Sequence, residues 1–85
     1  MFNADEKHVK AERLKARQLR QSRWWQNRIA QGHCYYCGAT IGRDSATMDH
    51  IVPVSQGGRS TPGNMVVACK ECNNKKKGLT LFEWD

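Results

Sequence analysis

The polar and apolar positions divide the chain into two unlike stretches. Between Ala4 and Gln31 there is no Gly and no Pro, and Ala, Lys, Arg, Gln, Glu and Leu dominate. All are good helix formers. Gly32 follows as a stop signal behind a basic last turn. This stretch predicts one long helix. Its apolar residues, Val9, Leu14, Leu19, Trp24, Trp25 and Ile29, do not fall on one stripe. Such a helix gains little from core packing, and only the end around Trp24, Trp25 and Ile29 is expected to dock. From His33 onward Gly, Cys, Thr, Pro and Asn enter and the elements shorten. Residues 46–52 read as a strand ended by Pro53, and Ser55-Gln56-Gly57-Gly58 as a loop. Met65–Ala68 is a second short apolar strand. Lys70–Lys77 reads as a short helix stopped by Gly78. Thr80-Leu81-Phe82-Glu83 has capping-box spacing, which predicts a last helical turn.

Charge changes the picture of the first stretch. The chain has 85 residues and a formal net charge of +6. Residues 1–32 hold eight basic and three acidic side chains; residues 33–85 hold six and five. At 100° per residue, Lys10, Arg13, Arg17, Arg20 and Arg28 fall within a sector of about 80° on a continuous helix. A basic arm on a small module suggests a polyanion, nucleic acid first, although a solvated, solubilising helix fits as well. The tryptophan pair serves either as packing anchor or as base-stacking platform. The length allows one domain with an appendage. No apolar run approaches the ~20 residues of a membrane span, and the opening residues lack the apolar core of a secretory signal. The expectation is a cytoplasmic protein with no membrane partner, its cysteines reduced.

Four cysteines then bring in chemistry. Cys34-Tyr35-Tyr36-Cys37 and Cys69-Lys70-Glu71-Cys72 are two CxxC pairs separated by 31 residues. Each pair lets one tight turn aim two sulfurs at one point about 2.3 Å away. Two pairs complete a closed Cys₄ site, which soft thiolates reserve for zinc or, less often, iron–sulfur. With four protein ligands, that site is structural, and it staples a small core.

Between and after the pairs stand Asp49-His50-Ile51-x-Pro53-x-Ser55-x-Gly57-Gly58, Asn64-Met65 and Cys69-x-x-Cys72-Asn73-x-x-Lys76. In this order and spacing, residues 34 to 78 resemble the HNH endonucleases, the ββα-metal nucleases. The resemblance places His50, Asn64 and Asn73 at the three signature positions. Many members carry His at the third; Asn occurs among zinc-bearing members and makes the catalytic metal site oxygen-only. It implies His50 as general base, Asp49 and Asn73 as ligands of one Mg²⁺ or Mn²⁺, and Asn64 as a loop residue bonding backbone. Elementary chemistry agrees. A neutral imidazole takes a proton from water near pH 7, and carboxylate and amide oxygens suit hard cations. On a regular strand Asp49 and His50 point to opposite faces, so a twist or bulge is expected at the strand end. Lys75, Lys76 and Lys77 are either cations at a helix C-terminus or phosphate contacts, with Lys76 favoured by the motif.

The sequence therefore predicts an α+β protein. Residues 1–32 form a basic helical arm, and residues 33–85 a small ββα-metal module with structural zinc. The expected function is metal-dependent hydrolysis of DNA phosphodiesters. The resemblance implies 5′-phosphate and 3′-hydroxyl products, a bacterial or phage source, and a DNA-packaging enzyme as a partner. A non-catalytic zinc module that binds nucleic acid or protein is the rival reading, and only Asp49, His50 and Asn73 discriminate. Oligomeric state, and nicking against double-strand cutting, stay open.

Overall fold

The computed structural model describes residues 4–80 and Glu83. The expected single helix is two helices, α1 (Glu6–Arg20) and α2 (Arg23–Ala30). Ser22 makes the break. Its hydroxyl donates to the Leu19 carbonyl at 2.6 Å and accepts from the Trp25 amide at 3.2 Å, serving the end of one helix and the start of the next. A serine that satisfies backbone groups in this way competes with helix continuation. The turn places Trp25 and Ile29 inside the core. Burying an indole of this kind outweighs a cap, since truncating one costs about 3–5 kcal/mol against ~1 for a cap.

α1 begins at Asp5, whose carboxylate accepts from the His8 amide at 2.9 Å. It does not stand free, as the sequence suggested. Glu12 and Ala16 are buried. The Ala4 amide reaches the Ser55 carbonyl, and His8 Nε2 lies 3.0 Å from the Gly58 carbonyl. The docking is mostly polar, and a search for an apolar stripe overlooks it.

β1 (Thr47–His50) pairs antiparallel with β2 (Met65–Ala68), in register from Thr47 opposite Ala68 to His50 opposite Met65. Every residue of β2 is buried. Between the strands the chain makes short 3₁₀ turns at Val54–Gln56 and Pro62–Asn64. The Gly57-Gly58 pair is required here. Gly57 has φ +89°, and a Cβ on Gly58 would lie 1.8 Å from the Val52 carbonyl oxygen. α3 (Lys70–Lys76) starts at Cys69, whose sulfur accepts from the Cys72 amide at 3.3 Å, and stops where Lys77 and Gly78 turn to positive φ. Thr80 donates its amide to Glu83 at 2.9 Å, the return bond of a capping box; residues 81 and 82 of that expected turn lie outside the described residues.

The core gathers Trp25, Ile29, Cys34, Ile41, Val67, Ala68 and Cys72, with Trp24, Tyr36 and Met48 against it. Arm and module share this core, and a boundary between residues 32 and 33 runs through it. Trp25 is a packing anchor, and Trp24 carries the Arg28 guanidinium 5.7 Å above its ring.

Candidate metal centre and active-site cleft

The first centre is built by a loop and a helix start. Residues 34–38 form a knuckle in which the Cys34 carbonyl accepts from the Gly38 amide at 3.0 Å, with Gly38 at φ +76°. The knuckle is fastened to β2 by a bond from the Tyr35 amide to the Val67 carbonyl at 2.8 Å. It faces Cys69 and Cys72 at the start of α3. The four sulfurs lie within 4.8 Å of one another, and Cys37 Sγ is 4.0 Å from Cys69 Sγ. A tetrahedron with ~2.3 Å metal–sulfur bonds has edges of about 3.8 Å, so the set fits one ion. Burial raises the Cys34 thiol, but the amides of Cys37, Cys69 and Tyr36 outweigh it and bring the group down to about 6.

The second centre is a cleft of about 280 Å³ across the end of β1. Arg13 of α1, Asp49 and His50 of β1, and Asn73 and Lys76 of α3 line it. The expected bulge is absent: the β1–β2 register is unbroken through His50. The strand simply ends at His50, and the cleft wraps its end. Asp49 is buried and His50 half-buried.

Several polar groups of the cleft have defined partners. Asp49 Oδ2 accepts from the Tyr36 hydroxyl and lies 3.4 Å from Lys76 Nζ. Burial, and then the Asp49 carboxylate, push the Tyr36 phenol up, so it stays a donor. Asn73 Nδ2 donates to Thr47 Oγ1 at 2.9 Å, and that hydroxyl in turn donates to the Ala68 carbonyl at 2.7 Å. This fixes the amide with Nδ2 on the threonine and leaves its oxygen free of that contact. Asp49 and Asn73 each bring to the cleft an oxygen of the type that hard cations take. His50 Nε2 lies 2.9 Å from Ser60 Oγ. Burial lowers the imidazole from its ordinary value, against the opposing pull of Asp49 and Glu12.

Asn64 is not in the cleft. Its side-chain oxygen accepts from the Val52 amide at 2.8 Å, and its nitrogen donates to the Val52 and Arg59 carbonyls at 3.0 and 2.9 Å. These bonds tie the chain entering β2 to the chain leaving β1. Lys76 corrects the expectation of a phosphate contact. It is fully buried, donates to the His50 carbonyl at 2.8 Å, and balances Asp49 in the interior. The basic stripe also needs correction. Lys10, Arg13, Arg17 and Arg20 are exposed along α1, but the break at Ser22 puts Arg28 on another helix, over Trp24. Sequence reasoning missed Tyr36, Glu12 and Ser60 as neighbours of the site. No local spacing signals a bond between residues 48 positions apart, as Glu12 and Ser60 are.

The pattern of the family described as HNH endonuclease matches residues 34–78. The chain belongs to the HNH endonuclease family. It is 40% identical over 52 residues to the CRISPR-associated endonuclease Cas9 of Actinomyces naeslundii, and equally to that of Corynebacterium diphtheriae. Each match covers 60% of this chain and 5% of the relative. The crystal structure of the Type II-C Cas9 enzyme from Actinomyces naeslundii superposes with a TM-score of 0.62 and 26% identity, over 87% of this chain and 10% of that one. The HNH chain thus spans a small fraction of these relatives. A DNA-packaging partner finds no support among them. No helix among the described residues is long and apolar enough to cross a membrane.

Proposed function

We propose that this HNH chain hydrolyses DNA phosphodiester bonds with one divalent ion, Mg²⁺ or Mn²⁺, at Asp49 and Asn73, and holds a structural zinc at Cys34, Cys37, Cys69 and Cys72. The observation that carries this reading is the convergence of Asp49, His50 and Asn73 on one cleft. His50 is the only imidazole lining that cleft among the described residues. Kept neutral by burial, it takes the proton of a water attacking phosphorus. The 3′ oxygen leaves as an alkoxide and takes a proton from solvent, giving 5′-phosphate and 3′-hydroxyl ends. A hard cation on the Asp49 and Asn73 oxygens would supply charge neutralisation for the phosphate and the leaving oxygen. Lys76 cannot take that role, because its ammonium is spent on the His50 carbonyl and Asp49. Arg13, at the rim, lies where a flanking phosphate would sit. One centre per chain nicks one strand.

The test is relaxation of supercoiled plasmid with Mg²⁺ or Mn²⁺ against a chelator of hard cations. Asp49→Ala and Asn73→Ala are expected to raise the Mg²⁺ concentration needed for half-maximal nicking, with zinc content unchanged, since the two sites use different donors. Zinc loss in Asn73→Ala would mean that the sites are merged.

The exposed stripe on α1 carries a second expectation. At 100° per residue it runs directly beside the buried Glu12–Ala16 line, so phosphates on it lead toward the Arg13 side of the cleft. The triple variant Lys10→Ala, Arg17→Ala, Arg20→Ala should keep the fold, because all three side chains are exposed. Three lost phosphate contacts would flatten the slope of log K against log salt by about 2.7 on duplex DNA. An unchanged slope would assign the stripe to a protein partner or to solvent.

A further inference from the structure

Glu12 is buried on α1, far in sequence from the family's signature residues, and the nuclease mechanism makes no direct use of it. Its carboxylate Oε1 accepts from the Ser60 amide at 2.6 Å, and Oε2 lies 3.2 Å from Lys15 Nζ. Its main-chain carbonyl lies 2.5 Å from Ser60 Oγ. Ser60 is itself buried, and the same Oγ lies 2.9 Å from His50 Nε2. A carbonyl has no proton to give, so the short contact to Glu12 uses the single hydroxyl proton of Ser60. Ser60 Oγ can then only accept from the imidazole. Nε2 must carry the proton, and Nδ1 is left with the lone pair. No described residue bonds Nδ1.

We propose that Ser60, anchored by Glu12 of α1, is the positioning residue that fixes the His50 imidazole in the tautomer whose Nδ1 takes the proton. The proposal rests on His50 being the general base. A serine free to rotate would donate to Nε2 as readily as accept from it, and would stabilise the unreactive tautomer for the same strand position. The two bonds that Ser60 donates to Glu12, from its amide to the carboxylate and from its hydroxyl to the main-chain carbonyl, remove that freedom. α1 is thereby part of the active-site scaffold. The clamps from Ala4 to Ser55 and from His8 to Gly58 hold the same loop against it.

The experiment joins a spectrum to kinetics. Long-range ¹H–¹⁵N correlation on the full chain, above the imidazole pKa, reads the His50 tautomer without any need for turnover. The wild type is expected to show Nε2 protonated and Nδ1 bare; an Nδ1-protonated ring overturns the proposal. Ser60→Ala should admit the second tautomer and lower the single-turnover nicking rate about 10- to 100-fold, by analogy with partners that orient metal-ligating histidines. The DNA concentration for half-saturation should hold. Ser60→Thr, which keeps the hydroxyl, should restore both. Ser60→Ala with an unchanged spectrum and rate overturns the proposal. If Ser60→Ala does not fold, the wild-type spectrum and Ser60→Thr still decide. A wild type that shows the expected tautomer but never nicks plasmid under any divalent ion condemns the nuclease reading and leaves the positioning of His50 standing.

Discussion

Stripping the ion from the four-cysteine centre is expected to unfold the chain cooperatively at room temperature. Cys34 and Cys72 are members of the core cluster itself, beside Trp25, Val67 and Ala68. The centre therefore joins the knuckle, β2 and the start of α3, and nothing else in the described residues crosslinks them covalently. Structural zinc contributes about 10–16 kcal/mol at neutral pH in small zinc domains, against a total stability of about 5–15 kcal/mol for an ordinary domain. Losing it leaves no margin. Cys72→Ala should behave like the chelated protein, because it removes a buried ligand and opens a cavity together. Circular dichroism melts, with metal content by mass spectrometry, check this. A metal-free sample that keeps its cooperative transition at the same temperature would show that the core is self-sufficient. The consequence reaches the cleft: α3 begins at the metal and carries Asn73 and Lys76 four and seven residues beyond Cys69. Nicking should be lost with the zinc even when Mg²⁺ is abundant.

What was legible in the sequence was what is local. The two CxxC turns, the apolar run at Met65–Ala68 and the helix between Cys69 and Gly78 each carry their signal within a few residues, and each lies where that signal put it. The family signature adds order and spacing over residues 34–78. The N-terminal stretch failed for physical reasons. Helix propensity is nearly uniform from Ala4 to Gln31, so one serine that bonds at 2.6 and 3.2 Å to its neighbours decides where the helix breaks. Docking of α1 depends on Glu12, an acid buried by bonds to Ser60, and hydropathy reads such a residue as exposed. Lys76 was misread in the same way. A lysine at a helix end is ordinarily solvated, but here Asp49 and the His50 carbonyl await it inside. Charge is visible in a sequence; its burial partner is not.

His50→Ala is expected to leave a folded, zinc-loaded, DNA-binding protein with its nicking rate down by about 10²–10⁴-fold, the usual worth of a positioned base. Three features argue for loss of chemistry rather than loss of fold. The side chain is half-buried at the last residue of β1 and is not a member of the core cluster. Its main-chain carbonyl, which holds Lys76, survives the substitution. Its side-chain partner among the described residues, Ser60, keeps the short bond to the Glu12 carbonyl. The chemistry, by contrast, has no substitute nearby. Asp49 is balanced by Tyr36 and Lys76, Asn73 is no base, and Lys76 is a buried ammonium. The measurement is single-turnover nicking with saturating protein, so that altered DNA affinity cannot imitate a chemical defect. A thermal melt and a zinc determination on the same preparation complete it. An unchanged rate would exclude His50 as the base, and a lowered melting temperature with zinc loss would make it a structural histidine. A defect confined to the single-turnover rate, with affinity, zinc and melt intact, places the proton transfer on this imidazole.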